Sequence, residues 1–229
     1  MMLKVCGART AGDVALLARL GVDLVGLWHG TGGPAELSLE RLAGLAERAR
    51  AEGVVPVLVT FLADPAVLAQ VLAVSGVEWV QLHGYQPPAL VRALSGEGRM
   101  IVKALHVRGR ECQERPLLPA YARAGVDFFL LDAVSDDGRL GSTGRRLDPA
   151  AVAELGDALT VPFLLAGGLT ADDPAPSPAG DPVDPRPVGF PRHSLMAGVD
   201  VDHGARDERG HLDPVRVAAL RRWTAKEPA

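Results

Sequence analysis

Short, almost continuously apolar runs alternate along the chain with longer stretches in which apolar residues recur every three or four positions. The short runs are Leu3–Gly7, Asp23–Trp28, Val54–Phe61, Val77–Leu82, Met100–Leu105, Val126–Asp132, Val161–Ala166 and Met196–Val201. Apolarity without polar alternation is the mark of strands covered on both faces, as in a parallel sheet. The longer stretches predict helices at 13–20, 39–51, 65–74, 87–94, 120–124, 149–158 and 214–225, each with one apolar face.

The junctions support the same alternation. Leu20-Gly21-Val22-Asp23, Ser75-Gly76-Val77-Glu78 and Ala124-Gly125-Val126-Asp127 each place glycine where a helix ends and a strand follows. Ser38 before Leu39, and the pairs Asp148-Pro149 and Asp213-Pro214, read as helix starts with a capping side chain. Eight candidate strands in 229 residues leave about 29 residues per unit, which fits a single (β/α)8 TIM barrel, of class α/β, spanning residues 1–229. A doubly wound sheet is the rival, but Cys6-Gly7-Ala8-Arg9 after the first strand is not a dinucleotide-binding turn.

One unit departs from the pattern. Between Asp173 and Arg192 seven of twenty residues are proline, and each interior proline costs a helix about 3 kcal/mol. The expectation is a barrel whose seventh helix is replaced by a Pro-rich loop, within an irregular segment at 171–197. That loop reads either as a surface linker or as a cover for a site.

Composition narrows the class further. Hydrophobic residues are 48% and aromatics 4%, so the core rests on Ala, Val and Leu. The net charge of −4 argues against nonspecific nucleic-acid binding. Two cysteines, Cys6 and Cys112, make no disulfide framework. Neither a signal-peptide pattern nor an apolar run of spanning length is present, so a cytoplasmic protein without a membrane partner is expected.

In a barrel of this kind chemistry gathers at the C-terminal ends of the strands. Those ends read Cys6-Gly7, Trp28-His29-Gly30, Gln81-Leu82-His83-Gly84, Lys103-Ala104-Leu105-His106, Leu131-Asp132, Ala166-Gly167-Gly168-Leu169 and Asp200-Val201-Asp202-His203-Gly204. Alone, Cys6 reads as a small buried hydrophobe and Asp132 as a turn residue.

Lys4-Val5-Cys6-Gly7, Gln81-Leu82-His83-Gly84, Leu131-Asp132, Gly141-Ser142-Thr143-Gly144, Ala166-Gly167-Gly168-Leu169 and Gly198-Val199-Asp200-Val201 stand in the order and spacing of the phosphoribosylanthranilate isomerase family. The resemblance covers nearly the whole chain except 171–197. It implies an isomerase of tryptophan biosynthesis that performs an Amadori rearrangement, turning an aminoaldose phosphate into an aminoketose phosphate. It implies Cys6 as general base and Asp132 as general acid. It implies a substrate site at Gln81, His83, Gly144, Gly167, Gly168, Asp202, His203 and Gly204, with glycine-turn amides holding phosphate. The expected partner is a phosphorylated small molecule, the expected state a monomer or homodimer, and no cofactor or metal is called for. A carboxylic acid serves this chemistry only if desolvation keeps it protonated, and the run Phe128–Leu131 before Asp132 supplies an apolar setting. A basic thiolate needs positive charge nearby, and Lys4 lies on the same side of its strand as Cys6.

Three departures fall on substrate recognition. The family carries a Ser-Pro-Arg-Tyr-like segment after the second strand, whose Arg binds the anthranilate carboxylate. This chain has Gly30–Leu37, with no Arg and with Glu36. Arg9, His29 or His106 are the substitutes in view. After the eighth strand Ser-Ser-Gly-Val-Glu becomes Asp202-His203-Gly204-Ala205-Arg206, and Asp202 repels phosphate unless it points away or pairs with His203 or Arg206. The third is the proline segment. Arg145 is a further candidate phosphate contact, and Cys112 is read as structural. Asp200, Asp202, His203 and His211 as metal ligands lack the spacing of a metal cluster. Two other readings therefore stand beside the first: the same acid–base pair acting on another substrate in a natural-product pathway, and a non-catalytic homologue that binds a ligand or partner.

Overall fold

A computed structural model describes residues 1–33, 35–135, 137–141, 143–170 and 193–224. Nine strands are found there: β1 (Met2–Cys6), β2 (Leu24–Trp28), β3 (Val55–Thr60), β4 (Trp79–Leu82), β5 (Met100–Arg108), β6 (Glu111–Cys112), β7 (Phe128–Ala133), β8 (Phe163–Leu165) and β9 (Met196–Val201). All but β6 pair in parallel, in the order β4-β3-β2-β1-β9-β8-β7-β5, and a β4–β5 pairing closes the ring. The result is an eight-stranded parallel barrel. Its helices are α1 (Ala11–Arg19), α2 (Leu39–Ala51), α3 (Pro65–Ser75), α4 (Pro88–Gly96), α5 (Leu118–Ala124), α6 (Pro149–Ala158) and α7 (Pro214–Thr224). The expected replacement of the seventh helix falls within 171–192, outside the described residues.

Local sequence explains the element ends. Thr10 and Asp13 form a reciprocal capping box at α1. Ser38, Asp64 and Asp148 accept first-turn amides at α2, α3 and α6. Gly21, Gly76 and Gly125 all adopt positive φ (70°, 62° and 93°), the left-handed turn their helix-to-strand positions require.

Two apolar layers form the core. One lies between strands and helices, with Leu3, Val5, Leu27, Leu58 and Leu131 facing Leu17, Leu42 and Leu68. The other fills the barrel interior with Leu24, Val57, Val102, Ala104, Leu130 and Leu164. Strand alternation sends every second side chain inward. At the C-terminal end of the barrel that inward set becomes polar: Lys4 and Cys6 on β1, Gln81 on β4, Asp132 on β7 and Asp200 on β9. A Cβ at Gly26 would lie 2.5 Å from Cys6 Sγ, so glycine on β2 is what gives the thiol its room.

Two expectations shift in detail. β7 begins at Phe128 instead of Val126, because Val126 closes the end of α5 through a bond from its amide to Tyr121. The side chain of Asp127 accepts the Ile101 amide (2.7 Å), as that of Asp23 accepts the Leu3 amide (2.7 Å). These acids tie off neighbouring strands. β5 also runs on to Arg108 and turns back antiparallel as β6, a hairpin the apolar pattern does not show.

Candidate active site

A cleft opens at the C-terminal end of the barrel. Cys6, Asp132, Gln81, His83, Gly144, Gly167, Gly168, Asp202, His203 and Gly204, the ten residues expected from sequence, all line it. Trp28, Thr143 and Asp200 line it as well. The first of these ends β2 on the inward face, so strand parity was the signal for it.

Cys6 forms the base of one wall. Its thiol is buried and lies 2.6 Å from Lys4 Nζ, which in turn lies 2.8 Å from Asp200 Oδ2. The Sγ–Asp200 Oδ2 distance is 3.7 Å. Burial pushes the Cys6 thiol well above its usual range, Asp200 and Asp202 push the same way, and Lys4 opposes them. Burial works against the Lys4 ammonium, yet Asp200 and Cys6 outweigh it and hold the ammonium above its ordinary range. The resting set is thus an ammonium–carboxylate pair with a protonated thiol against it.

Asp132 faces the cleft from β7. One oxygen accepts the Ala133 amide (2.9 Å), and the other lies 3.3 Å from His83 Nε2. That second contact is off the direction a hydrogen bond needs, so Nε2 has no partner. On the far side of the ring, Gln81 Nε2 meets His83 Nδ1 at 2.8 Å. Because the Gln81 amide nitrogen is a donor, Nδ1 accepts from it, which leaves the ring proton on Nε2, facing Asp132. Phe61 and Trp28 flank His83 at 5.7 and 6.3 Å between ring centroids, fixing its plane.

Four buried side-chain atoms along this cleft have no hydrogen-bond partner: Trp28 Nε1, Gln81 Oε1, His83 Nε2 and Asp200 Oδ1. Buried polar atoms are normally paired, so four orphans at one cleft mark a place that receives a polar ligand.

The opposite wall is made of backbone. A Cβ on Gly168 would sit 2.7 Å from the Gly144 carbonyl, and one on Gly204 1.9 Å from the Leu169 carbonyl. A parallel bridge joins Thr170 to Gly204. The loops after β7, β8 and β9 are therefore pressed together at their glycines, which line the cleft.

Asp202 is paired, as its position demands. Arg206 Nε lies 2.7 Å from its Oδ1, and the same guanidinium donates to the carbonyls of Cys6 (2.8 Å), Gly7 (2.9 Å) and Gly210 (3.0 Å). Arg206 thus neutralises Asp202 and straps the β9 loop to the end of β1. Sequence reasoning saw the pairing but not the brace.

Glu36 folds back into its own loop. It accepts the amides of Gly30 (2.6 Å), Thr31 (2.8 Å) and Gly32 (3.1 Å) and the Thr31 hydroxyl. Those bonds outweigh its partial burial and hold its carboxyl below the ordinary range. None of the three substitutes for the absent Arg is among the cleft-lining residues. Arg9 is exposed, His29 bonds the Leu37 carbonyl, and His106 is held between Glu114 and the His83 carbonyl. Arg145 is exposed beside Gly144, and Ser142 lies outside the described residues. Cys112 is half-buried against Glu114, away from the cleft. Among the described residues no group of three or more His, Cys, Asp or Glu is placed to hold a metal ion.

The family profile described as N-(5'phosphoribosyl)anthranilate (PRA) isomerase matches residues 3–213. The chain belongs to that family. It is accordingly an isomerase. Among curated relatives, N-(5'-phosphoribosyl)anthranilate isomerase of Rhodopseudomonas palustris strain BisA53 is 32% identical over 95% of this chain and 93% of the relative. The isomerase of Azorhizobium caulinodans is 32% identical over 95% and 89%. Among solved structures, phosphoribosyl anthranilate isomerase from Thermococcus kodakaraensis superposes with a TM-score of 0.73 at 26% identity, over 97% of this chain and 98% of that one.

Proposed function

We propose that this chain converts N-(5'-phosphoribosyl)anthranilate into the corresponding aminoketose phosphate in tryptophan biosynthesis, as a single cytoplasmic barrel over 1–229, monomeric or homodimeric. The observation that carries this reading is the convergence of a thiol, a carboxyl group and three glycine loops on one cleft. Asp132 gives a proton to the ribose ring oxygen, and the ring opens to an iminium ion. Cys6 removes the C2 proton, leaving a neutral enolamine. The same thiol returns that proton to C1, the C2 hydroxyl proton restores Asp132, and the ketone is complete with every proton accounted for. Gly144, Gly167, Gly168 and Gly204 supply amides for the phosphate, and Arg206 removes the repulsion that Asp202 would otherwise exert. His83, fixed by Gln81, orients Asp132. No Arg replaces the missing carboxylate ligand at the cleft wall among the described residues, so the aromatic end is met by neutral donors such as Trp28 Nε1.

The test is turnover of N-(5'-phosphoribosyl)anthranilate, followed by loss of its fluorescence, with growth of a tryptophan auxotroph lacking this step as the cellular readout. Cys6→Ser and Asp132→Asn should each lower kcat by about 10²-fold or more. Turnover unchanged in both variants refutes the acid–base assignment. A folded wild type that neither turns over nor rescues growth returns the question to another substrate or a binding role.

A further inference from the structure

A thiol pushed upward by burial and two carboxylates is a poor base, and the reading above requires Cys6 to be one. We propose that Lys4 is a positioning residue for the reaction: its ammonium is the shared counter-ion across which Cys6 passes its proton to Asp200 and so becomes the base. This rests on the assignment of Cys6 as base.

The geometry carries it. Lys4 and Cys6 project from the same face of β1, and the parallel register sets Lys4 opposite Asp200 on β9. Lys4 Nζ is fully buried and within 2.8 Å of both partners, so one ammonium contacts the two atoms that compete for the proton. The thiol is directed at Asp200 Oδ2 across 3.7 Å. Moving the proton breaks the S–H bond and forms an O–H bond on Asp200, leaving Cys6 thiolate, Lys4 ammonium and neutral Asp200.

No net charge is created by that move. The groups facing Cys6 are Lys4 on its own strand, Asp200 on β9, and Asp202 with its partner Arg206 on the following loop; His83 and Asp132 line the same cleft from β4 and β7. Lys4 balances one carboxylate and Arg206 the other. Releasing the thiol proton to solvent would leave an uncompensated buried anion, which is costly, whereas shifting it to Asp200 only relocates a charge that Lys4 already meets. Once Cys6 has returned its C2-derived proton to C1, Asp200 gives its proton back and the set is reset.

The test follows the Cys6 thiol directly, in a Cys112→Ser background, by iodoacetamide alkylation from pH 6 to 10 with the adduct located by mass spectrometry. Lys4→Met should slow alkylation about tenfold or more, because the thiolate loses its counter-ion. Lys4→Arg should keep most of the rate. Asp200→Asn, which preserves shape, should do the opposite: the thiolate keeps its counter-ion without a competing carboxylate, so the alkylation profile moves to lower pH and the rate at neutral pH rises about tenfold. Loosened packing would speed alkylation at every pH, whereas loss of the carboxylate shifts the pH at which the rate rises, so the pH profile separates the two. Asp200→Asn whose alkylation profile does not move to lower pH overturns the proposal. So does Lys4→Met with unchanged alkylation. If Lys4→Met does not fold, the Asp200→Asn arm decides alone. Alkylation needs no substrate, so failure here is distinguishable from failure of the substrate assignment.

Discussion

Lys103 offers a prediction whose size can be worked from its surroundings. It is fully buried on the helix side of β5 and donates to the carbonyls of Gly84 (2.7 Å) and Ala104. Two acceptors suit the two N–H bonds of a neutral amine. Glu114 lies 3.9 Å away and favours the ammonium. Burial dominates, and the Lys103 pKa falls from 10.5 to about 8. Between those values the unfolded chain holds a proton that the folded chain has released, so stability rises with pH there. Below about pH 8 the cost of charging the buried amine is fully present, and at about 1.4 kcal/mol per pH unit it amounts to roughly 3 kcal/mol. By pH 10 most of it has gone. Replacing Lys103 with Met removes the titration, along with two hydrogen bonds whose loss is nearly independent of pH. The stability of Lys103→Met relative to wild type should therefore be about 2.5 kcal/mol more favourable at pH 7 than at pH 10. Urea unfolding of both proteins across pH 7–10 measures this, and the difference cancels other groups that titrate in the same range. A relative stability constant with pH to within about 0.5 kcal/mol would show that Lys103 titrates like an exposed lysine, and the reasoning from burial would fail.

Two further outcomes follow from the cleft. Gly204→Ala places a Cβ 1.9 Å from the Leu169 carbonyl, so the β8 and β9 loops must part. We expect a loss of about 1–3 kcal/mol in thermal or urea unfolding together with a raised KM, and an unchanged KM counts against the glycine wall as the phosphate site. Arg206→Met leaves Asp202 charged beside that wall. KM for the phosphorylated substrate should rise about tenfold, more at low salt, and Arg206→Met with Asp202→Asn should recover most of it; a single variant with wild-type KM refutes the neutralising role of Arg206.

Much of the fold was legible because its determinants are local. Gly21, Gly76 and Gly125 needed positive φ wherever a helix turned into a strand, and continuous apolar runs needed cover on both faces. The hairpin of β5 and β6 was not legible: it rests on Glu111–Cys112 pairing with Val107 and Arg108, with no apolar pattern to announce it. The candidate site was legible to this extent: all ten expected residues line one cleft. Their pairings were less so. Asp202 was seen to need a cation, but nothing in the sequence showed that Arg206 would also bind the carbonyls of Cys6 and Gly7. Glu36 looked like a charge added to the substrate loop, and proved to be the acceptor that closes it.

By itself, the sequence determined the alternation of strand and helix, the caps that start the helices, and the chemical kinds of group at each strand end. These follow from steric limits on φ and from side-chain parity, which act over a few residues. The tertiary structure alone decided that Lys4 meets Asp200, 196 positions away, that Arg206 reaches back to Cys6, and that burial would set the thiol against its own ionisation. Those outcomes depend on closing the barrel, because charge, solvent exclusion and proximity are properties of the space that eight strands enclose together and of no single segment.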